Sequence, residues 1–147
     1  MFRLETVIIL ALLLLANQPV RAASEDDGRI RVAVTGVRSD RGYVRCSIWS
    51  SALGFPRNAR NAVQTVTAEI ANRQAVCDFK VSPGTYAVAV YHDENANGKF
   101  DTGLFGIPKE GYGASNDARG FMGPPRFNDA KFIYKGRALD LEIRLNY

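Results

Sequence analysis

The sequence SPGTYAVAVY, residues 82–91, contains a turn followed at once by a strand. Pro83 and Gly84 fill the second and third places of the turn, where proline fixes one φ angle and glycine accepts the positive φ of type II geometry. The residues that follow are apolar at odd and even positions alike, which is typical of a central strand covered on both faces. We therefore predict a central strand at 85–91 that forms a hairpin with a strand at 74–81.

Alternation of apolar and polar residues with a period of two predicts the other strands. It is clearest at residues 139–145, where one face is apolar and the other polar, as in a half-buried antiparallel strand. The strands are short and joined by turns, and no amphipathic helix of useful length is found. The predicted fold class is therefore all-β, an antiparallel β-sandwich of about seven strands. The remaining strands are predicted at 30–34, 44–48, 63–70 and 130–135.

Residues 102–128 interrupt this pattern, because they are rich in Gly, Pro and Asn and have no sustained periodicity. Loops longer than about 12 to 15 residues are uncommon in compact domains unless they are functional or disordered. Apolar residues give this segment a means of attachment, so we predict one long ordered loop that folds back over the domain. These apolar residues are Leu104, Phe105, Ile107, Tyr112, Phe121, Met122 and Phe127.

Residues 1–22 have the three parts of a secretory signal peptide. Arg3 provides a positive charge, residues 7–16 form an apolar run, and the sequence VRA that ends at Ala22 fits the cleavage pattern. The apolar run is shorter than the roughly 20 residues that span a bilayer, so cleavage is favoured over an uncleaved anchor. We predict that residues 23–147 form a single exported domain with one core and no stable membrane insertion.

The charge of the chain is modest, with 19 Lys and Arg residues against 15 Asp and Glu residues and a formal net charge of +4. The basic residues are scattered and form no run, so neither a nucleic-acid surface nor a membrane-binding patch is indicated. The expected partner is an unidentified protein or carbohydrate.

The two cysteines, Cys46 and Cys77, both lie at apolar positions of predicted strands. An oxidising compartment outside the cytoplasm favours a disulfide bond between them. The alternative is a pair of buried free thiols, since the sequence alone does not place their Cα atoms within bonding range.

The sequence HDENANGKFD, residues 92–101, directly follows the central strand. Oxygen-bearing side chains at alternate positions converge on one point when a chain curls around a hard cation, and a glycine permits the positive φ that completes the curl. This spacing predicts a calcium-binding loop, with magnesium less favoured because it requires a stricter octahedron and retains waters. The predicted metal ligands are the side chains of Asp93, Asn95, Asn97 and Asp101 and the backbone carbonyl of Lys99, with Gly98 at the turn.

This loop differs from an EF-hand in two respects. Leu104 occupies the place of the bidentate glutamate, and a strand rather than a helix precedes the loop. A further ligand would come from water or from the long loop. The alternative is a turn-rich loop without metal, in which Asp and Asn side chains bond their own backbone. The additional candidate site residues are His92, Glu110, Ser115, Asn116 and Asp117.

No catalytic residue is assigned from the sequence. His92 is the only histidine, and a single histidine at a strand end is more often structural than catalytic. Ser115 lacks the G-x-S-x-G elbow of a serine nucleophile. Asp93 and Glu110 could act as an acid and base pair, but the sequence does not fix their separation.

The blocks PGTYA, HDENxNGxxD and GIPKEGYGxS, within residues 83–117, together resemble a family of secreted bacterial proteins known as domain of unknown function 2141. The resemblance implies an exported bacterial β-sandwich of immunoglobulin-like or transthyretin-like type, in the periplasm or outside the cell. It also implies that residues 106–115 accompany the acidic loop, which places Glu110 and Ser115 near it. The resemblance implies no activity, and the cysteine pair is a departure from the family pattern.

The sequence as a whole predicts a non-enzymatic module. Its acidic loop would bind calcium and order residues 102–128, which would present a surface to a carbohydrate or protein partner. Two alternatives stay open. One is a hydrolase that acts on a sugar or an ester through the same acidic loop, and the other is a purely structural domain without metal.

Overall fold

The computed structural model describes residues 28–147, so the predicted signal peptide, residues 1–22, lies outside the described residues. Within the described part, eight strands form two sheets. Helical structure there is limited to the 3-10 turns Ala59–Asn61, Leu104–Gly106 and Ser115–Asp117 and the four-residue helix α1, Phe127–Ala130. The strands are β1 (Ile30–Thr35), β2 (Tyr43–Trp49), β3 (Gln64–Glu69), β4 (Ala75–Phe79), β5 (Gly84–Asp93), β6 (Tyr112–Ala114), β7 (Phe132–Tyr134) and β8 (Leu139–Arg144).

The two sheets share one apolar core between their facing sides. One sheet has the order β4-β1-β8, and the other has the order β3-β2-β5-β6, with β7 paired to the first residues of β5. The predicted all-β sandwich is therefore confirmed. The additional strand, β6, was not predicted because its three residues, with two glycine or alanine positions among them, are too few to establish an alternation.

A disulfide bond between Cys46 and Cys77 joins β2 to β4 and so links the two sheets through the core. The predicted pairing is confirmed. The central strand β5 is also as predicted, because both of its faces are covered. Val88 and Val90 face the main core, while Ala87 lies in a smaller cluster on the other side of the sheet. In that second cluster, Phe55 contacts Trp49 edge to face.

The predicted hairpin between the strands on either side of residues 82–84 is wrong. Strand β4 pairs with β1 in one sheet, whereas β5 pairs with β2, β6 and β7 in the other. The Pro-Gly turn therefore carries the chain from one sheet to the other. Turn residues specify a change of direction, but they do not specify which strands exchange hydrogen bonds. The hydroxyl of Tyr86 donates to the carbonyl of Ser82 at 2.8 Å and closes this corner.

The predicted antiparallel pairing of the last strand is also wrong. Strand β8 has the expected alternation, but it runs parallel to β1, with Ile30 opposite Leu139 and Thr35 opposite Arg144. A period of two decides which residues face the core and carries no information about the direction of the neighbouring strand. All other strand pairs in the described residues are antiparallel.

The segment 102–128 contains β6 and two 3-10 turns, and part of it packs on the domain as predicted through Glu110, Ala114 and Ser115, which are buried. Most of the apolar residues that were expected to attach this segment to the domain are exposed to solvent instead. Side chains in tight turns can point away from the sheets. The apolar composition of the segment was therefore not a reliable sign that these residues pack on the domain. The exposed side chains are Leu104, Phe105, Ile107, Phe121 and Met122. Among residues 28–147, no helix has the length and apolarity needed to cross a bilayer.

Candidate functional site

The acidic loop lies at the end of the sandwich where β5 stops. Asp93, the last residue of β5, is opposite Tyr43, the first residue of β2. The connection between β1 and β2 therefore reaches the same end, and the C-terminal Tyr147 also packs there against His92. We call this region the rim and define it as residues 36–42, residues 92–111 and Tyr147.

Asp93 is fully buried and acts as the anchor of the loop. Its Oδ2 accepts hydrogen bonds from Arg45 Nε at 2.6 Å and from the Gly98 backbone at 2.9 Å. Its Oδ1 accepts the backbone N–H of Asn97 at 3.0 Å. Gly98 has a φ of +76°, as the predicted curl requires. The carboxylate is thus engaged by one guanidinium group and two backbone amides, and its charge is paired inside the domain.

Asp101 is the point on which the loop side chains converge. Its Oδ2 accepts hydrogen bonds from the Nδ2 atoms of Asn95 and Asn97, both at 2.8 Å. No hydrogen bond from residues 28–147 reaches its Oδ1. The Oδ1 atoms of the two asparagines accept backbone N–H groups, from Asn97 at 3.2 Å and from Lys99 at 2.9 Å. Three of the predicted ligand side chains therefore meet at one place.

Glu110 lies against the loop, as the sequence analysis expected, and it is almost completely buried. Its Oε1 accepts the backbone N–H of Glu94 at 3.2 Å, and its Oε2 accepts that of Asp101 at 3.0 Å. Burial raises the pKa of Glu110, and the negative charges of Asp101 and Asp93 raise it further, while the two backbone hydrogen bonds oppose the rise. Glu110 is therefore a buried carboxylate held by two backbone N–H groups and repelled by the charges of Asp101 and Asp93.

Glu94 is the main ion-pairing residue of the rim, and the sequence did not single it out. Its carboxylate accepts hydrogen bonds from Arg38, from Arg41 Nη2 at 2.9 Å and from Ser39 Oγ at 2.7 Å. The pairing with Arg38 lowers the pKa of Glu94 to about 2, and the bonds from Ser39 and Arg41 contribute to the change. These partners are more than 50 residues away in the chain, so no local pattern could have indicated them.

An open cleft of about 480 Å³ lies over these carboxylates. It brings basic side chains from the β1–β2 connection together with the acidic loop and the start of the long loop. A cation or a small polar ligand would reach Asp101 and Glu110 through it. The residues that line the cleft are Arg38, Arg41, Glu94, Asn95, Asp101, Thr102, Lys109 and Glu110.

His92 is buried, and both of its ring nitrogens are engaged. Nε2 lies 2.7 Å from the carbonyl oxygen of Arg41, which can only accept, so Nε2 carries the proton. Nδ1 then accepts the hydroxyl of Tyr147 at 2.8 Å. That hydroxyl in turn accepts the backbone N–H of Arg38 at 3.0 Å. His92 thus ties β5 to the β1–β2 connection and to the C-terminus, and it presents no free nitrogen to the cleft.

Ser115, Asn116 and Asp117 do not belong to the rim. Ser115 Oγ accepts the backbone N–H of Val88 at 2.9 Å and donates to the carbonyl of Ala130 at 2.6 Å. Val88 precedes Asp93 on β5 by a strand length of about 16 Å, at roughly 3.3 Å per residue. Asn116 bonds the backbone of Lys131, and Asp117 pairs with the neighbouring Arg119. Ser115 and Asn116 thus hold α1 and its flanks on the sheet.

The acidic groups alone do not form a metal centre. Across residues 28–147, no three His, Cys, Asp or Glu side chains gather closely enough to hold a metal ion. A cation at the rim would therefore depend on amide and carbonyl oxygens as well. Lys99, whose carbonyl was predicted as a ligand, is exposed.

A family model described as an uncharacterised protein conserved in bacteria matches residues 32–142, from β1 to β8. The chain belongs to the DUF2141 family. The resemblance found in the sequence is thus confirmed, and the match covers both sheets and most of the rim. No curated protein and no solved structure matches this DUF2141 chain.

Proposed function

We propose that this DUF2141 protein is an exported, non-enzymatic binding module whose acidic loop takes one calcium ion and whose rim then presents a surface to a protein or carbohydrate partner. The observation that carries the proposal is the environment of Asp101. Two asparagine side chains meet its Oδ2, and its Oδ1 has no hydrogen-bond donor among residues 28–147. An acidic oxygen beside two side-chain amides supplies the hard oxygen ligands that calcium prefers.

Reorientation of the two amides is the main change that calcium binding would require. Asn95 and Asn97 now direct Nδ2 atoms toward Asp101, and a half-turn of each amide would direct Oδ1 atoms there instead. Each rotation gives up one hydrogen bond from a backbone N–H within the loop. The site should therefore be weak, in the range of about 10⁻⁴ to 10⁻³ M that is common in extracellular modules.

Glu110 provides the electrostatic reason for a cation. Its buried carboxylate has the negative charges of Asp101 and Asp93 as neighbours, and these charges contribute to its raised pKa. A divalent ion in the cleft would offset this repulsion and favour the ionised form of Glu110. Asp93 serves this proposal as the anchor of the loop, because its two oxygens already accept three hydrogen bonds.

The disulfide bond supports the exported location. It joins β2 to β4 in the core, and such bonds form and persist in oxidising compartments such as the bacterial periplasm. The engagement of both ring nitrogens of His92 supports a binding role over hydrolysis, because the only histidine has no nitrogen with which to activate water.

A structural domain without metal is the second candidate, and the hydrogen bonds from backbone N–H groups to Asn95 and Asn97 favour it. Thermal unfolding of the purified protein separates the two. Calcium at ten times its dissociation constant, which is about 1 to 10 mM for a site of this strength, raises the stability of the native state by about 1.4 kcal/mol. We expect millimolar calcium, but not magnesium, to raise the melting temperature.

The matched variants for this experiment are Asp101→Asn and Asp117→Asn. Both remove one carboxylate charge, but Asp117 is exposed and lies outside the rim. The calcium effect should be lost in Asp101→Asn and kept in Asp117→Asn. An unchanged melting temperature of the wild-type protein in calcium and in chelator would overturn the metal proposal and leave the structural one.

A further inference from the structure

The segment from Thr102 to Pro108 is a small hairpin that ends in exposed apolar side chains. Leu104, Phe105 and Ile107 expose 82%, 100% and 63% of their surface. We call these three residues the apolar tip. A contiguous patch of large apolar side chains on the surface of a protein marks a site of interaction. Apolar side chains that are exposed singly are common and have no such meaning.

The hairpin that carries the apolar tip is held by its own backbone. Thr102 bridges to Pro108, and the Gly103 N–H donates to the carbonyl of Ile107 at 2.7 Å. Phe105 has a φ of +58°, a left-handed conformation that costs free energy for a non-glycine residue and occurs at functional sites more than elsewhere. The base is fixed as well, because the backbone carbonyl of Asp101 accepts the Lys109 N–H at 3.0 Å. The apolar tip is therefore a convex, pre-formed projection.

The most exposed charged side chains near the base of this projection are basic. Lys99 and Lys109 are exposed, and the side chain of Arg41 is 78% exposed. The acids nearby are less accessible, because Asp93 and Glu110 are buried, Asp101 is half-buried and bonded to two asparagines, and Glu94 is paired with Arg38 and Arg41. A surface that encloses the apolar tip therefore meets basic side chains at the base of the projection.

We propose that the apolar tip docks into the surface of a lipid bilayer that carries anionic headgroups. The apolar side chains would enter the boundary between headgroups and acyl chains, while the ammonium groups of Lys99 and Lys109 would remain at the level of the phosphates. A fluid bilayer can enclose a convex projection without a preformed pocket. This contact is interfacial and requires no spanning segment. It rests on the hairpin and its lysines, so it is independent of the calcium proposal.

The experiment is co-sedimentation of the protein with vesicles in the presence of chelator. One set contains phosphatidylglycerol and phosphatidylcholine, and the other contains phosphatidylcholine alone. We expect the wild-type protein to sediment with the first set. The double variant Leu104→Ser, Phe105→Ser should lower the partition coefficient at least tenfold. The double variant Lys99→Gln, Lys109→Gln should lower it about fivefold per lysine.

The matched control is Phe121→Ser. Phe121 is 94% exposed, and it lies in a different loop near α1, so its replacement removes one exposed phenylalanine, the counterpart of Phe105, from another place. It should bind vesicles as the wild-type protein does. An equal loss in Phe121→Ser would overturn the assignment to the apolar tip.

Two further results would contradict the proposal. Equal binding to both vesicle sets would overturn the claim that the protein recognises anionic headgroups. Failure of the wild-type protein to sediment with anionic vesicles in chelator would overturn bilayer docking and leave a concave protein surface as the occupant of the apolar tip. Because the experiment contains no calcium, its failure and the failure of the calcium site are distinguishable. Melting temperatures of all variants check that each is folded.

Discussion

Asp93 and Arg45 form the ion pair on which the rim is built. The Nε of Arg45 donates to Oδ2 of Asp93 at 2.6 Å, and the carboxylate is fully buried while the guanidinium is partly exposed. Two residues on neighbouring strands thus fix the start of the acidic loop, and the later residues of that loop carry the proposed calcium ligands. The loop is pre-organised before any ligand arrives, because Asp93 also accepts the backbone N–H groups of Asn97 and Gly98.

Replacement of Asp93 by Ala should therefore destabilise the whole domain. It leaves the Arg45 charge without its partner and two backbone amides without an acceptor. Because Arg45 is partly exposed, the cost should lie below that of a fully buried pair, at about 2 to 3 kcal/mol. Denaturation by urea measures the change. The control is Asp140→Ala, which removes an exposed carboxylate from β8 and should stay within about 0.5 kcal/mol of the wild-type value. Similar values for the two variants would contradict the anchoring role.

Glu94 should make the stability of the protein depend on pH. Its pKa of about 2 in the folded protein lies below the ordinary value of 4.5, so the ionised carboxylate stabilises the folded state. This contribution is present above pH 4.5 and is lost as the pH falls from 4.5 toward 2. Because Arg38 and Arg41 are solvent-exposed, screening should reduce it to about 1 to 2 kcal/mol.

The variant Glu94→Gln tests this prediction by comparison with the wild-type protein across that pH range. The difference in the free energy of unfolding should be largest near neutral pH and should shrink in acid, and added salt should reduce it. A difference that is constant from pH 7 to the acid limit of folding would show that Glu94 acts through packing rather than through its charge.

The disulfide bond should contribute substantially to stability. It closes a loop with a sequence separation of 31 residues, and the loss of unfolded-state entropy on closure corresponds to about 3 to 4 kcal/mol. The double variant Cys46→Ala, Cys77→Ala should unfold at a correspondingly lower urea concentration. Equal stability of oxidised and fully reduced wild-type protein, with the thiols counted chemically, would refute this contribution.

Gly42 should tolerate no side chain. Its φ is +70°, and a Cβ atom would lie 2.0 Å from the backbone oxygen of Asp93. Gly106 is a matched control because its φ is +73° but nothing lies within 4 Å of a Cβ atom there. Gly106→Ala should cost about 1 to 2 kcal/mol through the backbone alone. Gly42→Ala should cost clearly more, and equal melting temperatures for the two variants would contradict the close approach of the β1–β2 connection to β5.

The sequence predicted where the strands lie, but it did not predict which strands pair with each other. Alternation at residues 139–145 identifies which side chains face the core, whereas the parallel pairing of β8 with β1 depends on the route of the chain. The turn at Pro83 and Gly84 was correctly placed, yet the flanking strands lie in different sheets. Sequence periodicity is a local property, and sheet topology is not.

In the acidic loop, too, local features were predicted from the sequence and long-range contacts were not. The spacing of Asp93, Asn97 and Gly98 predicted a curled loop, because these groups interact within one short segment. The pairing of Glu94 with Arg38 brings together residues 56 positions apart and left no local signal. The exposure of Phe105 was also missed, because apolar residues in a turn can cover the body or point away from it.

The central claim is that the loop around Asp101 binds calcium, and calorimetric titration of the wild-type protein with calcium tests it most directly. We predict heat that fits one site per chain, with a dissociation constant of about 10⁻⁴ to 10⁻³ M. Asp101→Asn should weaken binding at least tenfold, and Asp117→Asn should leave it unchanged. No heat from the wild-type protein at millimolar calcium, or the same heat from Asp101→Asn, would contradict the claim.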